Sequence, residues 1–341
     1  MPADPTRCML VTHARFPEGE APEGVVLTSG SQLQSHPTGK FRHEAAFYRG
    51  LEDLVDKVVP FVREGVSLGE PVLVAMLSDR LDVLKAALGA DSARVDFVDM
   101  AELGRNPARI IPAWRRFLAD APASSSPRGV GEPIWAGRRP AEIVECRLHE
   151  SLLNVAFDEG PGWQLMCPYD AVKLPAWVVE DAMRTHPVVG PDLERLAGYG
   201  GHQHATDAFA APLSDPPAHA DEVPFASGDL SALRSIVERL CARAKLSHDV
   251  GEDMVLAAHE VATNSIQHGG GSGLLRSWTE ADAFVVEVSD SGTIADTLVG
   301  RDLTPNLAEH GRGVWMANHL CDLVQLRSTP TGTVVRLFAW L

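Results

Sequence analysis

Residues 248–270 read HDVGEDMVLAAHEVATNSIQHGG, and this stretch decides the fold of the C-terminal part of the chain. Small and apolar residues recur along it at helical spacing, which predicts one amphipathic helix. Glu260 and Asn264 lie four residues apart, and therefore one turn apart on a second face of that helix. An amide oxygen is a hard ligand suited to Mg²⁺ and a carboxylate can take up a proton, so the pair could act on a metal-bound phosphate. A polar surface pair is the alternative interpretation, because such pairs are common.

Three further short motifs follow, each at the start or the end of a predicted element. The segment DSG, residues 290–292, comes directly after the apolar run AFVVEVS, so Asp290 can accept a hydrogen bond from an amino group and Gly292 lets a flat ring approach. The segment HGRG, residues 310–313, opens a helix, where free N–H groups and the positive end of the helix dipole attract an anion. The segment GT, residues 332–333, precedes the last strand. Alone, each motif also fits an ordinary turn or a flexible loop.

The order and the structural contexts of these four motifs resemble the GHKL ATP-binding superfamily. The segment EVATNSIQHGG, residues 260–270, is most similar to the anti-sigma-factor serine kinases within it. The resemblance covers residues 223–341 and implies a GHKL (Bergerat) α/β sandwich that binds ATP and Mg²⁺. It implies the following roles: Asn264 holds Mg²⁺, Glu260 is the general base, Asp290 binds the adenine amino group with Gly292 making room, Gly311 and Gly313 cradle phosphates, Arg312 adds charge near the γ-phosphate, and Thr333 supports the adenine end.

One departure from the superfamily pattern concerns the motif DxGxG, because this chain reads DSGTI over residues 290–294. We assign Thr293 to the place of the second glycine. A branched residue is restricted at positive φ, so we expect the start of the nucleotide lid to differ. ATP binding is expected to persist, and turnover is the step that this change would affect.

Strands and helices alternate over residues 41–197, which predicts an α/β domain with a mostly parallel sheet and helices on both faces. We expect a helix in the segment that begins HEAAFYRGLEDLV at His43, and strands at VLVAML and PIWAG. The segments RHEAAFY, GEPVLVAM, GEPIW, VECRLHESLLN and MCPYD resemble the MEDS sensory domain, which implies a RecA/KaiC-like fold and a small-molecule signal. The loop after VLVAM reads LSDRLDVLK and is no P-loop, so we expect this half to receive a signal rather than to hydrolyse a nucleotide.

The remaining segments are predicted to precede or to connect the two domains. Residues 1–40 are rich in Pro, Gly, Ser and Thr and predict a flexible tail, and residues 198–222 have no periodic apolar face and predict a linker. His202, His204 and His219 lie in that predicted linker, outside any helical pattern. We therefore expect none of them to be the phosphoacceptor of a sensor kinase.

The acidic composition limits the kinds of partner. The chain has 30 Lys and Arg against 46 Asp and Glu, a net charge of −16, without a basic stripe, which argues against nucleic-acid binding through phosphate neutralisation. It has no run of about 18 apolar residues and no apolar signal segment, so we expect no membrane contact. Five cysteines without CxxC spacing fit a reducing compartment, so we expect a cytoplasmic location.

Five residues of the N-terminal domain invite a metal or redox interpretation: His43, Cys146, His149, Cys167 and His186. Cys146 and His149 lie three residues apart on a predicted helix, which is a spacing that metal ligands use. Buried cysteine is common as a small hydrophobic residue, so we prefer to interpret the set as core thiols and surface histidines. A metal site and a thiol sensor are the alternatives.

The combined pattern favours a signal-responsive anti-sigma regulator of the stress-response type. The resemblance implies that it binds ATP, sequesters a sigma factor and, as a serine/threonine-protein kinase, phosphorylates Ser or Thr on a STAS-domain anti-anti-sigma protein. The acidic surface suits a partner with a basic face. The sequence leaves open whether the chain forms a homodimer. The alternatives are a non-catalytic ATP-binding sequestration module and a sensor histidine kinase, of which the second would need a dimerising helical hairpin before the ATP module.

Overall fold

A computed structural model of the protein describes residues 40–190, 194–195, 198–301 and 312–341. The predicted tail lies outside the described residues apart from its last residue, and so does Gly311. Within the described residues, no helix combines the length and the apolar character that a membrane crossing requires.

The N-terminal part folds into a seven-stranded sheet. Its strands are β1 (Arg42–Tyr48), β2 (Val72–Met76), β3 (Asp96–Asp99), β4 (Arg128–Gly131), β5 (Gln164–Asp170), β6 (Val188–Val189) and β7 (Glu194–Arg195). Its helices are α1 (Gly50–Leu68), α2 (Ser78–Leu88), α3 (Met100–Leu103), α4 (Ile110–Asp120), α5 (Pro140–Ala156) and α6 (Ala176–Thr185). The strand order is β3-β2-β4-β5-β1-β6-β7, and every neighbouring pair is parallel except β6 and β7.

Alternate residues of these strands point to opposite layers of helices. Tyr48, Val74 and Met166 lie in a core that also contains the apolar residues of α1 and α2. Ala75 and Cys167 point the other way, into a core shared with α4 and α5. The sheet is therefore buried on both faces, which confirms the predicted mostly parallel sheet with helices on both faces.

Two predicted elements of this part are wrong. Residues 42–48 form β1 and not the start of a helix, because this run lies between β5 and β6 and is buried on both faces, where a continuous apolar strand is favoured. The predicted segment PIWAG forms no strand. The strand of this region is β4, which ends at Gly131, just before that segment. Pro133 has no N–H for a hydrogen bond to a neighbouring strand, which disfavours a strand at PIWAG. Within β4, a residue without a Cβ is required at Gly129, since a Cβ there would lie 2.9 Å from the indole ring of Trp114.

The predicted linker contains a helix, α7 (Gly201–Ala210), so its expected lack of structure is wrong. Ala205 and Phe209, four residues apart, form the buried face of α7, which packs against α5. One aromatic residue among alanines is too weak a pattern to reveal a helix from sequence. His202 and His204 therefore lie inside a helix after all.

The C-terminal part forms a five-stranded antiparallel sheet with helices on one face, as predicted. Its elements are β8 (Asp221–Ala226), α8 (Leu230–Arg243), α9 (His248–His268), β9 (Ser272–Thr279), β10 (Ala283–Asp290), α10 (Arg312–Leu320), β11 (Leu323–Thr329) and β12 (Gly332–Trp340). The strand order is β11-β12-β10-β9-β8. Helix α9 packs on β9, β10 and β12 and is itself flanked by α8 and α10. The edge strand β8 was not predicted, because its sequence begins inside the supposed linker.

Buried polar contacts join the two sheets within one compact unit. Glu145 of α5 is fully buried and accepts hydrogen bonds from Arg301 at 3.1 Å and from Arg327 at 2.6 Å. The Asn106 amide donates to the backbone oxygen of Asn318 in α10 at 3.1 Å. Charges buried this deeply are tolerated only when they are paired. The pairing of Glu145 with the two arginines therefore depends on contact between the N-terminal part and the C-terminal sheet.

Candidate functional site

Helix α9 orients the two polar residues that the sequence singled out. Its buried stripe, which includes Met254, Ala258 and Val261, faces the sheet and leaves Glu260 and Asn264 half-buried at its side. The predicted helix and the one-turn spacing of this pair are therefore present in the structure. The two side chains face the beginning of α10.

A cavity of about 440 Å³, here called the C-terminal cavity, opens beside α9. Four of the predicted site residues lie on its wall: Asn264, Asp290, Gly292 and Thr333. The rest of the wall is mainly apolar, from the residues Val261, Ile294, Ala295, Val299, Val314 and Val335. The volume lies in the range of small-molecule and cofactor sites, and few polar groups converge in an apolar wall, as such sites require.

The carboxylate of Asp290 is fixed by two hydrogen bonds at the end of β10. Its Oδ1 accepts from the backbone N–H of Gly292 at 2.8 Å, and its Oδ2 accepts from the hydroxyl of Ser265 at 2.6 Å. The first bond is that of an ordinary Asp-x-Gly turn, and the second ties the turn to α9. Each carboxylate oxygen keeps a further lone pair for a ligand.

Glycines allow the end of α9 to meet the end of β10. A Cβ on Gly292 would lie 2.7 Å from the Cα of Gly269, and a Cβ on Gly269 would lie 2.3 Å from Cγ of Asp290. Glycine is therefore required at position 292 by the packing of the chain itself, and the expectation that Gly292 makes room for a ring stays a prediction. Ser265 and Gly269 were missed as site residues, although both follow Asn264 closely on the same helix.

The beginning of α10 lies against the polar pair of α9. A Cβ on Gly313 would lie 2.9 Å from the Asn264 amide nitrogen and 3.3 Å from a carboxylate oxygen of Glu260. Glu260 therefore does not line the C-terminal cavity but stands next to it, across from Gly313. Arg312 is exposed as the first residue of α10, while Gly311, beyond the described residues, carries no observation.

Thr333 belongs to a hydroxyl network at the other end of the cavity. Its Oγ1 donates to the backbone oxygen of Gly292 at 2.8 Å and lies 3.0 Å from Oγ of Ser328. That Ser328 hydroxyl accepts the backbone N–H of Ile294 at 2.7 Å. The network holds the segment after Asp290 against β11 and β12, and Ser328 is a member that the sequence did not reveal.

The assignment of Thr293 to the second glycine of DxGxG is wrong by one residue, because that place belongs to Ile294. Neither position is strained. Among the described residues other than glycine, only Lys245 has a positive φ. The backbone therefore accepts both side chains, and Ile294 packs against the core beside the cavity.

The five candidate ligands named from the sequence are all buried, so the expected surface position of His43, His149 and His186 is wrong. His43, Cys167 and His186 lie together, whereas Cys146 and His149 lie apart from that group. Burial lowers the pKa of His43 to about 4 and that of His149 to about 3, so both rings are neutral at physiological pH. Burial raises the pKa of Cys146 to about 12, which makes it an inert core thiol.

Comparison with known families divides the chain at the same place as the two sheets. Residues 42–187 match the model described as MEDS, the methanogen/methylotroph DcmR sensory domain. Residues 223–339 match the model of the histidine kinase-like ATPase domain. The two resemblances predicted from the sequence are thereby confirmed.

Two solved structures are among those that align with parts of this chain. The RsbU and RsbW domains of a protein from Mycobacterium tuberculosis align with a TM-score of 0.28 and 16% identity, covering 36% of this chain and 32% of theirs. The structure of another ATPase domain aligns with a TM-score of 0.28 and 10% identity, covering 49% of this chain and 67% of its own. This chain thus spans about a third of the first structure. No curated protein matches it.

Proposed function

We propose that this chain, in which a MEDS domain precedes a histidine kinase-like ATPase domain, is a signal-responsive anti-sigma regulator. It binds ATP with Mg²⁺ in the C-terminal cavity, sequesters a sigma factor, and phosphorylates a Ser or Thr of a STAS-domain anti-anti-sigma protein. The observation that carries the proposal is the cavity itself, with the fixed Asp290 carboxylate on its wall and Asn264 beside the beginning of α10.

The apolar wall and Asp290 suit an adenine ring. A flat purine gains from contact with Val261, Val314 and Val335, whose side chains exclude water from its faces. The exocyclic amino group of adenine donates to Asp290, whose oxygens keep free lone pairs after bonding Gly292 and Ser265. Guanine presents an oxygen at the corresponding position, so the carboxylate would select against it.

The opposite side suits the phosphates and their metal ion. Asn264 and Glu260 lie close to Gly313 at the beginning of α10. Their side chains carry an amide oxygen and carboxylate oxygens, the donor types that Mg²⁺ prefers. The first N–H groups of α10 have no partners within the helix and favour an anion there. Bound Mg²⁺ would neutralise charge on the phosphates, and Asn264 is the residue proposed to hold it.

Glu260 is proposed to serve the transfer step. The γ-phosphoryl group leaves the bridging oxygen of ADP and bonds to the hydroxyl oxygen of the partner's Ser or Thr. The proton of that hydroxyl passes to the Glu260 carboxylate, which the beginning of α10 keeps close to the phosphate side of the site. The protein's contribution is otherwise to position the two substrates and to neutralise charge.

Helix α5 is the proposed route by which the MEDS domain acts on the ATPase domain. Its Glu145 is bonded to Arg301, which follows the segment 293–299 along the wall of the C-terminal cavity. A shift of α5 would pull Arg301 and with it the end of that segment. A signal in the N-terminal part can thus change the shape of the cavity without contacting the nucleotide.

One incubation tests the proposal. The full chain is mixed with γ-labelled ATP, Mg²⁺ and a panel of STAS-domain proteins. Label on a STAS protein is the expected result. Label on this chain would contradict the proposal in favour of a histidine kinase. Nucleotide binding without any label would contradict the kinase step and support a sequestration module.

A further inference from the structure

Four buried side chains meet on the face of the N-terminal sheet that α5 covers. They are His43 of β1, Glu150 of α5, Cys167 of β5 and His186, which follows α6, and none is more than 1% exposed. Nε2 of His43 lies 3.1 Å from Oε2 of Glu150 and 3.3 Å from Sγ of Cys167, and Nε2 of His186 lies 3.3 Å from the same Glu150 oxygen. All four donor atoms lie within 4.8 Å of one another. We call them the His/Glu/Cys cluster.

Hydrogen bonds outside the cluster fix which nitrogen of each ring carries the proton. Nδ1 of His186 lies 2.8 Å from the backbone oxygen of Ala182, which can only accept, so Nδ1 is the donor. The Asn154 amide group donates to the backbone oxygen of Thr185 at 2.7 Å, which turns its own oxygen toward Nδ1 of His43 at 3.1 Å. Nδ1 of His43 is therefore a donor too. Both rings then point the lone pair of Nε2 into the cluster.

In this arrangement, lone pairs of the two imidazole rings and of the Glu150 carboxylate face one another, and no cationic side chain of the described residues lies between them. Nε2 of His186 and Oε1 of Glu150 have no hydrogen-bond partner among the described residues. Within the same residues, the ion-pair partners of Glu150 are the two histidines and no Lys or Arg. A buried carboxylate that faces two lone pairs is unfavourable unless a positive charge lies between them.

We propose that the His/Glu/Cys cluster binds one Zn²⁺ ion. Two imidazole nitrogens, one thiolate and one carboxylate oxygen form a ligand set that zinc accepts, with bonds of about 2.0–2.3 Å. Such bonds in a tetrahedron place neighbouring donor atoms roughly 3.3–3.8 Å apart, and the three close pairs of the cluster lie at 3.1 and 3.3 Å. On binding, Cys167 releases its proton to solvent and its sulfur bonds to the ion.

The surroundings of the cluster match those of metal-binding histidines. A ligating histidine commonly donates its other N–H to a backbone oxygen or an amide, which fixes the ring and its tautomer. Ala182 and Asn154 fill that role for His186 and His43. The Cys146 and His149 pair, which has ligand-like spacing in the sequence, is excluded, since Sγ of Cys146 is engaged with the backbone oxygen of Pro133 at 3.3 Å.

A bound ion would connect the cluster with the interface between the domains. Glu150 and Glu145 lie five residues apart on α5, one at the cluster and the other bonded to Arg301 and Arg327. Zinc would fix the position of α5 through Glu150. The site therefore gives the MEDS domain a place where metal supply can act on α5.

Cobalt substitution in the full chain tests the proposal. The chain is stripped with a chelator and titrated with Co²⁺ and then Zn²⁺, while absorption is recorded. The expected result is one equivalent of Co²⁺ with tetrahedral ligand-field bands and a thiolate-to-cobalt band, all removed by Zn²⁺. Cys167→Ser should lose the thiolate band and at least about tenfold of the Zn²⁺ affinity in competition with a chromophoric chelator. Cys146→Ser, a buried thiol on α5 outside the cluster, is the matched control and should keep both.

Three results would overturn the proposal. The first is a wild-type chain that is folded by circular dichroism but binds neither Co²⁺ nor Zn²⁺. In that case a proton shared within the cluster would take the place of the ion. The second is loss of the thiolate band in Cys146→Ser with retention in Cys167→Ser. If Cys167→Ser does not fold, the thermal unfolding of the wild type decides, because an ion that binds only the folded state must raise the midpoint. No rise with Zn²⁺ is the third result.

Discussion

The C-terminal cavity and the His/Glu/Cys cluster differ in how the chain builds them. The cavity is open, and glycines at positions 269, 292 and 313 keep backbone close to polar side chains. The cluster is fully buried and brings its donor atoms within 4.8 Å of one another from four separate parts of the chain. The first arrangement fits an organic ligand that enters and leaves, whereas the second fits a small ion held inside the fold. The comparison teaches that the two ligand types require different structures. A nucleotide requires an open cavity, and a metal ion requires buried donor atoms that face one another.

The largest expected effect concerns turnover at the cavity. Glu260→Gln keeps the size of the side chain but removes the proton acceptor, so it should cut phosphorylation of the STAS partner by about 10²–10⁴ while leaving nucleotide affinity nearly unchanged. Glu252→Gln, on the exposed side of α9, is the control and should be neutral. Rates from single-turnover labelling check this, and equal rates for Glu260→Gln and wild type would remove Glu260 from the base role.

The next effect concerns the contact between the two regions. Glu145→Gln leaves Arg301 and Arg327 buried with reduced compensation, so it should lower the free energy of unfolding by about 3–5 kcal/mol. Asp282→Asn breaks the exposed pair with Arg139 and should cost about 0–1 kcal/mol. Urea unfolding of the full chain measures both. Similar small losses for the two variants would show that Glu145 does not hold the domains together.

A smaller effect is expected next to the cluster. Asn154→Ala removes the acceptor that orients His43, so Zn²⁺ affinity should fall by about 10- to 100-fold. Ser151→Ala on the same helix removes only a bond to the backbone oxygen of Arg147 and serves as the control. Competition with a chromophoric chelator gives the affinities. An Asn154→Ala chain that binds Zn²⁺ as tightly as wild type would contradict the assigned tautomer of His43.

The smallest effect concerns nucleotide choice. Asp290→Asn replaces an acceptor by a group that both accepts and donates, so the preference for ATP over GTP should fall by about threefold to tenfold. Asp296→Asn alters another carboxylate on the cavity wall, one that accepts from the backbone N–H of Leu298, and should keep the preference. Competition binding of the two nucleotides is the measurement. An unchanged preference in Asp290→Asn would exclude Asp290 from the adenine contact.

The same contrast explains what the sequence could predict. Glu260 and Asn264 belong to one helix and Asp290 and Gly292 to one turn, so local spacing is sufficient to find them. The four members of the cluster are spread over residues 43–186, and only the register of β1 with β5 and the packing of α5 bring them together.

Two further failures have local causes. Residues 43–48 form a strand although their local sequence predicts a helix, because their central place in the sheet depends on pairing with distant strands. The helix α7 was missed because its buried face contains only Ala205 and Phe209. In both cases tertiary packing decides what local propensity leaves undetermined.

Calorimetric titration of the full chain with Mg-ATP tests the central claim most directly. The account predicts one nucleotide per chain, binding that requires Mg²⁺, and at least about a tenfold loss of affinity in Asn264→Ala, which lacks the proposed metal ligand. Gln267→Ala, at an exposed position of α9, should bind as the wild type does. No binding heat with millimolar nucleotide, or equal affinities for Asn264→Ala and Gln267→Ala, would contradict the account.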